Sequence, residues 1–364
     1  MNILELLGVE QREDSITNLL AAGIRHSADF KLFFIRAVAP DLADRYTDWT
    51  VRTRVATSHG IPDLVLGASG DGGDALIVVE NKVKAEEGFE QTKRYSEPQC
   101  AAELASTLGL ENVIEKRLIF LTLFPEEPCT TSGFVGMTHR FLLDYPANPQ
   151  NDVERLIYDW QSLLTSFYAA GDIDLAAPLM QRLAEEKLEA GFLYFKSFIH
   201  EIAERTQLDY QGASRSSMPG RRIYFGHLGG QGWSQGEWIK AGDKWKFDDP
   251  SKHHAIFLQF QYSVLDGSLI LRLKYETNGY EPQNWVRNNV VPEHLSEYLS
   301  RRTSFVSELT NELPPEWNIW EGWNQIAKTE IDVCGASTET GIAVFSERCK
   351  QMAVRVDEIL TRPS

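Results

Sequence analysis

The chain has 364 residues and a formal net charge of −16, with 43 % hydrophobic and 24 % charged residues. This composition is typical of a globular protein with one large domain or two ordinary ones, and no apolar run reaches the roughly 20 residues of a membrane helix. The negative charge argues against a protein that coats nucleic acid non-specifically, but it does not exclude an enzyme with a local basic groove and metal-binding carboxylates.

Targeting and redox features predict a cytoplasmic location. The N-terminal residues contain no basic segment followed by an apolar stretch, so no secretory signal is expected. The cysteines are far apart and form no CxxC pair, which favours reduced thiols. They are Cys100, Cys129, Cys334 and Cys349.

The first half of the chain begins with helical periodicity and then changes to strands. Apolar spacing predicts helices over residues 1–39, with a break near Ser27 and a stop at Pro40. The later predicted elements are, in chain order, strands at 49–55, 61–66 and 76–83, a surface helix at 86–108, strands at 118–124 and 134–143, and a helix at 153–168. This order predicts an α/β domain over residues 1–170.

The second half, residues 171–364, has a different pattern. A helix is predicted over 179–202, followed by short strand-like segments separated by glycine turns and by helices over 291–306 and 340–360. We therefore expect an α+β module with an antiparallel sheet. Its tryptophans are expected to lie mostly in the core.

Charged residues interrupt two apolar runs of the first domain at particular positions. Asp63 opens the run that follows Pro62, and Glu80 and Lys82 close the run that ends at Val83. Because alternate strand residues share a face, Glu80 and Lys82 lie side by side while Asn81 points to the opposite face. A glycine-rich hairpin between the two runs would bring Asp63 next to Glu80.

This arrangement suits metal-assisted hydrolysis of phosphodiesters. Two carboxylates and a backbone carbonyl supply the oxygen ligands that Mg²⁺ prefers, and the ion polarises a phosphate and lowers the pKa of a bound water. A lysine beside the ion can orient or deprotonate that water and offset charge in the transition state.

The residues Pro62-Asp63 and Glu80-Asn81-Lys82 resemble the motif of the PD-(D/E)xK nuclease superfamily, with sixteen residues between the two acids. Gln91 and Tyr95 are similar to the QxxxY element of the RecB-like branch, and they share one face of a helix. The order of the predicted elements resembles the αβββαβ core of this restriction-endonuclease-like fold. The resemblance covers about residues 10–145 and leaves 180–364 without a parallel.

The resemblance implies a role for each matching residue. Asp63 and Glu80 are expected to bind Mg²⁺ or Mn²⁺, with Glu13 on the first long helix as a further ligand for which Glu10 and Asp14 are competitors. The other implied site residues are Lys82, which would assist the attacking water, and Gln91 and Tyr95, which would support the site or the phosphate backbone.

The function implied by the resemblance is metal-dependent cleavage of nucleic acid, with DNA as the expected substrate and defence against foreign DNA or repair as the expected process. The second half would select the substrate, bind a protein partner or join two copies of the chain. The alternative is a protein of the same fold that binds nucleic acid or assembles without turnover, which the net charge of −16 favours.

Other candidates are open to a plain structural interpretation. Near the site, the cationic candidates for phosphate contact are Arg52, Arg54, Lys84, Lys93 and Arg94. In the second half, a basic and aromatic cluster consists of Arg215, Arg221, Arg222, Tyr224 and Phe225. Neither the adjacent pair His253-His254 nor His139 is expected to bind metal, because adjacent strand residues face opposite ways.

Overall fold

The computed structural model describes residues 2–83, 87, 91–124, 132–185, 187–216, 222–234, 238–241, 244–247, 254–276, 296–320 and 325–362. The fold is mixed α/β, and the chain divides into two compact units, Met1–Ala169 and Ala170–Ser364, each with its own main sheet. Within the described ranges, no helix combines the length and the apolar character that crossing a membrane requires.

Four helices open the first unit: α1 (Ile3–Leu7), α2 (Glu13–His26), α3 (Ala28–Val38) and α4 (Pro40–Ala43). The predicted break near Ser27 is confirmed, since the Ser27 hydroxyl accepts the Phe30 amide and caps α3. The predicted stop at Pro40 is wrong in part. Helix α3 does end at Val38, but Pro40 begins α4, because a proline is well tolerated at the first helical position.

The sheet of this unit has the order β1-β2-β3-β4-β5. Its strands are β1 (Trp49–Thr53), β2 (Leu64–Ala68), β3 (Asp74–Lys82), β4 (Val113–Thr122) and β5 (Val135–Thr138). The pairs β1–β2 and β2–β3 are antiparallel, and β3–β4 and β4–β5 are parallel. The predicted hairpin is therefore confirmed, although β2 begins at Leu64 and Asp63 lies just before it.

The helix predicted over 86–108 is two helices, α5 (Gln91–Ser96) and α6 (Pro98–Leu108), while 84–86 and 88–90 lie outside the described residues. The break falls at Glu97, which has an extended conformation because Pro98 disfavours the helical one in the residue before it. The two helices do not lie only on the surface, as predicted, but contribute to the core. Tyr95, Cys100 and Leu104 are buried against the sheet in one hydrophobic cluster.

The strand predicted over 134–143 is wrong beyond Thr138, where the chain turns into a 3₁₀ helix (His139–Asp144). His139 and Leu142 lie one turn apart on this helix, and both are buried. The amphipathic helix α7 (Asp152–Gly171) follows and buries Trp160 beside His139. Contacts of β3 with α2, and of β2 with α6, place helices on both faces of the sheet.

The second unit begins with α8 (Leu179–Leu183), a 3₁₀ turn (Lys187–Glu189) and α9 (Ala190–Thr206). The later helices in the part of the unit that the structure describes are α10 (Ser296–Asn311) and α11 (Thr338–Thr361). Its main sheet is antiparallel, with the order β12-β13-β11-β10-β7-β6. The strands are β6 (Asp209–Ser216), β7 (Ile223–Gly229), β10 (Ala255–Ser263), β11 (Ser268–Glu276), β12 (Asn318–Ile319) and β13 (Gln325–Glu330), with β8 (Trp238–Ala241) and β9 (Lys244–Phe247) as a separate pair. The predicted antiparallel sheet is confirmed, but β6 was missed because its sequence has little apolar alternation.

The basic and aromatic cluster of this unit is largely core, as far as the structure describes it; Arg221 and His253 lie outside the described residues. Arg215 forms a buried ion pair with Glu189 at 3.0 Å and lies over the Phe192 ring. The Tyr224 ring packs against Phe192 and Tyr262. These side chains are therefore already committed to packing.

Candidate active site

The hairpin brings Asp63 and Glu80 together at one end of the sheet. Leu64 pairs with Val79, so Asp63, the residue just before β2, lies next to Glu80 on β3. The Asn81 amide donates a hydrogen bond to Asp63 Oδ2 at 2.8 Å, which fixes that carboxylate against the end of β3. The two acids therefore face one small volume, as the period-2 pattern predicts.

Lys82 lies on the same face as Glu80. Its Nζ is 2.7 Å from Glu80 Oε1, and the lysine side chain is 11 % exposed. Glu80 is buried, and its Oε2 has no hydrogen-bond partner among the residues that the structure describes. A buried carboxylate oxygen without a donor is costly, so this atom needs either a proton shared with the neighbouring acid or a bound cation.

Burial raises the pKa values of both acids, and the charge of Asp63 adds to the rise at Glu80. Burial, followed by the charge of Asp63, raises the pKa of Glu80 to about 8. Burial also raises the pKa of Asp63 against the opposing effects of the Asn81 amide and Lys82. At neutral pH we therefore expect the pair to retain one proton, because two adjacent buried carboxylates cannot both ionise cheaply.

Burial alone would lower the pKa of Lys82. The Glu80 and Glu13 carboxylates have the opposite and larger effect, so the pKa of the amine is raised. Glu13 is the first residue of α2; its Oε1 accepts the Val83 amide at 3.2 Å, and its Oε2 is 4.0 Å from Lys82 Nζ. In this arrangement Glu13 orients the end of β3. Its competitor Asp14 is exposed and pairs with Arg54 at 3.3 Å.

Gln91 and Tyr95 support the turn that leads into Asp63. The Tyr95 hydroxyl accepts the Ile61 amide at 3.2 Å and the Gln91 side-chain amide at 3.1 Å. Gly60, with φ of +131°, packs so closely on the Tyr95 ring that a Cβ there would lie 2.7 Å from it. Tyr95 therefore holds the Gly60–Pro62 backbone in place.

The basic residues near the site differ in their positions. Arg54 lies just beyond β1, where its amide donates to the Asp63 carbonyl at 2.9 Å, while its guanidinium contacts Asn18 and Asp14 on α2. Arg52, Lys93 and Arg94 are exposed. Lys84 lies outside the described residues.

The sequence interpretation missed the polar residues behind the site. Asn81 is fully buried in the middle of the Glu-Asn-Lys triplet, and its side chain contacts Thr17 and His139. Burial lowers the pKa of His139 to about 3, so the imidazole is neutral. The asparagine on the face of β3 that also carries Ile77 and Val79 is the signal that could have been used, because a buried amide requires partners.

The donor set fits a hard divalent cation in part. Among the described residues, no three side chains of His, Cys, Asp or Glu are grouped so that they could hold a metal ion. Asp63 and Glu80 nevertheless supply oxygen ligands, and Glu80 Oε2 is buried without a donor. The Lys82 ammonium is 2.7 Å from Glu80 and 4.0 Å from Glu13, and Asp63 adds a third acid, so a cation that replaced the retained proton would compensate the excess of carboxylates over ammonium groups.

Comparison of the chain with protein-family models, with curated proteins and with solved structures finds no match in any of the three.

Proposed function

We propose that this protein is a metal-dependent nuclease that hydrolyses phosphodiester bonds, with DNA as the first substrate to test. The observation that carries the proposal is the cluster of Asp63, Glu80 and Lys82 at one end of the sheet, in which the buried Glu80 Oε2 has no donor among the described residues. The order α2, β1, β2, β3, α5–α6, β4 supports it, because the restriction-endonuclease-like αβββαβ core has this order.

Asp63 and Glu80 are the residues that would hold Mg²⁺ or Mn²⁺. The chemistry that such an ion supplies is polarisation of the scissile phosphate and a lower pKa for the attacking water. Lys82 donates hydrogen bonds from a charged ammonium and offsets the negative charge that develops on the phosphate. Glu13 holds that ammonium from the other side, and Tyr95 holds the backbone that carries Asp63.

The test is cleavage of linear, circular and single-stranded DNA and of RNA, with Mg²⁺, with Mn²⁺ or with a chelator. We expect metal-dependent cutting by the wild type, and a loss of about 100-fold or more in Glu80→Ala and Lys82→Ala. Cutting that is equal in all three proteins, or that persists in chelator, would refute the proposal.

A matched control is available at the other end of the same strand. Asp74 is also a buried acid of β3, and its Oδ2 accepts the amides of Glu111 and Asn112 at 2.7 and 2.9 Å. Asp74→Asn removes a buried carboxylate without touching the candidate site. We expect it to lower stability and to leave the metal-dependent rate per folded molecule unchanged.

A second candidate function is metal-independent binding without turnover. The observation that favours it is the direct Lys82–Glu80 contact of 2.7 Å, because an internal ammonium already neutralises part of the carboxylate charge. In that case Mn²⁺ would not raise the unfolding temperature, whereas preferential binding to the folded state raises it. An Mn²⁺-dependent rise that Asp63→Ala abolishes would exclude this candidate.

A further inference from the structure

A chain of four buried polar side chains runs behind the candidate site. Trp160 Nε1 donates to His139 Nδ1 at 3.3 Å, and His139 Nε2 is 2.8 Å from Asn81 Oδ1. Asn81 Nδ2 donates to Thr17 Oγ1 at 2.9 Å and reaches the Glu13 carbonyl at 3.5 Å. We name Trp160, His139, Asn81 and Thr17 the buried relay.

The direction of every bond in the buried relay follows from its first member. The Trp160 indole can only donate, so His139 Nδ1 must be the acceptor and the proton of the neutral imidazole must be on Nε2. His139 therefore donates to the Asn81 carbonyl oxygen, and this choice turns the Asn81 amide nitrogen toward Thr17. The orientation of the Asn81 side chain is thus set by α7, through a residue that precedes that helix.

The buried relay ends at Thr17 on α2, one turn after Glu13. Asn81 joins β3 to Thr17 with its side chain, and it joins Asp63 with its backbone amide. One turn earlier on α2, Glu13 accepts the Val83 amide and approaches Lys82 Nζ. Asn81 therefore touches both sides of the site, and α2 cannot shift along β3 without breaking the bond to Thr17.

We infer that the buried relay positions α2 on the end of β3 and so sets the place of the Lys82 ammonium between Glu13 and Glu80. Asn81, His139 and Thr17 are positioning residues in this scheme, since none of them touches the reacting atoms. The rate effect expected below rests on the proposed nuclease function. The effect on the backbone near Val83 does not.

Thr17→Val tests the inference with the smallest change in shape. The substitution keeps the volume of a fully buried residue and removes the hydroxyl that accepts from Asn81. We expect the Val83 amide to exchange with solvent about tenfold faster, and kcat to fall about tenfold while the KM for nucleic acid stays within about twofold. Thr17→Ser keeps the hydroxyl, so it should restore both values to those of the wild type.

Gln161→Met is the matched control for a lost buried polar contact. Gln161 lies next to Trp160 on α7, and its side-chain amide donates to the carbonyls of Leu142 and Tyr145 at 2.7 and 2.6 Å. It anchors the same 3₁₀ segment as His139 without reaching Asn81. We expect this variant to lose stability while it retains both Val83 protection and kcat.

Trp160→Phe is a second variant, at the end of the buried relay opposite Thr17. It replaces Thr17→Val in the test if that variant does not fold. It removes the donor that fixes the His139 tautomer, so Val83 exchange should accelerate in the same direction but by a smaller factor.

The inference is overturned if Val83 exchange in Thr17→Val equals that of Gln161→Met, or if kcat falls while Val83 stays protected. If the wild type cuts no nucleic acid, the proposed function fails, and the exchange of Val83 alone then decides the inference.

Discussion

Glu80 has an environment that disfavours its ionised form. It is buried, its Oε2 lacks a donor among the described residues, and burial beside Asp63 raises its pKa from 4.5 to about 8. An acid with a raised folded-state pKa binds its proton more tightly in the folded than in the unfolded chain. Stability should therefore fall as pH rises from about 4.5 to about 8.

Glu80→Gln should remove this loss. In chelator, we expect the variant to be more stable than the wild type by about 2 kcal/mol at pH 9 and equal to it within about 1 kcal/mol near pH 4.5, since the wild-type side chain is neutral there. Urea unfolding across this pH range measures the difference. A constant difference at every pH would contradict the shared-proton description of the Asp63–Glu80 pair.

Tyr95→Phe tests whether the phenol acts by holding backbone. The change leaves the Ile61 amide without its acceptor and should cost about 1–3 kcal/mol of stability. Because Asp63 follows two residues later, we also expect metal-dependent cutting to fall about tenfold.

Tyr145→Phe is the comparison for Tyr95→Phe. The Tyr145 hydroxyl is 3.3 Å from the buried Ser27 hydroxyl and lies away from the candidate site. This variant should lose stability without a change in cutting, and an equal loss of cutting in both would show that general destabilisation explains the effect.

At the scale of elements, the site depends on the turn between β1 and β2. The Thr57 amide donates to the Gly60 carbonyl at 2.8 Å, and the Gly60 amide donates back at 3.3 Å. Glu103 on α6 accepts the Ser58 amide at 2.7 Å. The turn therefore presents Pro62 and Asp63 from a backbone that is attached to both α5 and α6.

Gly60→Ala should displace this turn. A Cβ at Gly60 would lie 2.7 Å from the Tyr95 ring, and φ is +131°, which a side chain rarely adopts. We expect a loss of about 2 kcal/mol and a smaller Mn²⁺-dependent rise in the unfolding temperature, because Asp63 moves relative to Glu80.

Gly109→Ala is the control for Gly60→Ala, because it introduces backbone strain without a contact like that between a Cβ at Gly60 and the Tyr95 ring. Gly109 ends α6 with φ of +73°, and a Cβ there meets nothing within 4 Å. It should cost about 1 kcal/mol and leave the Mn²⁺ response intact. If both variants lost the Mn²⁺ response equally, the turn between β1 and β2 would have no specific role in positioning Asp63.

At the scale of the whole molecule, the candidate site and the buried relay belong to one compact unit. Every residue named in them lies within Met1–Ala169, and α7 extends to Gly171. We expect residues 1–172 expressed alone to unfold cooperatively and to keep the Mn²⁺-dependent rise in unfolding temperature.

A fragment that ends at residue 158 is the comparison, because it lacks Trp160 and the core face of α7. We expect it not to unfold cooperatively. Loss of the Mn²⁺ response in residues 1–172, with folding intact, would mean that the second unit contributes to the metal site.

The local sequence pattern was sufficient to predict the β2–β3 hairpin and the proximity of Asp63, Glu80 and Lys82. The alternation along β3 places Glu80 beside Lys82, and the short glycine-rich connection makes β2 antiparallel, so Asp63 meets Glu80. Local pattern was also sufficient for the helix α7 and for the antiparallel sheet of the second unit. It failed at Pro98, where a proline breaks the helix, and at His139, where two turns of 3₁₀ helix replace the predicted strand.

By itself, the sequence determined the hairpin strands β2 and β3, their faces and the acid and lysine positions, because a side chain's face depends on its place in the alternation along the strand. Only the tertiary structure decided that Glu13 contacts Val83, 70 residues away, and that Asn81 contacts His139, 58 residues away. Such partners are chosen by the packing of α2 and α7 on the sheet, and no local period encodes that packing. The burial that raises the pKa of Glu80 is also decided by the tertiary structure, because a pKa depends on the charges and the solvent that the folded chain places around the group.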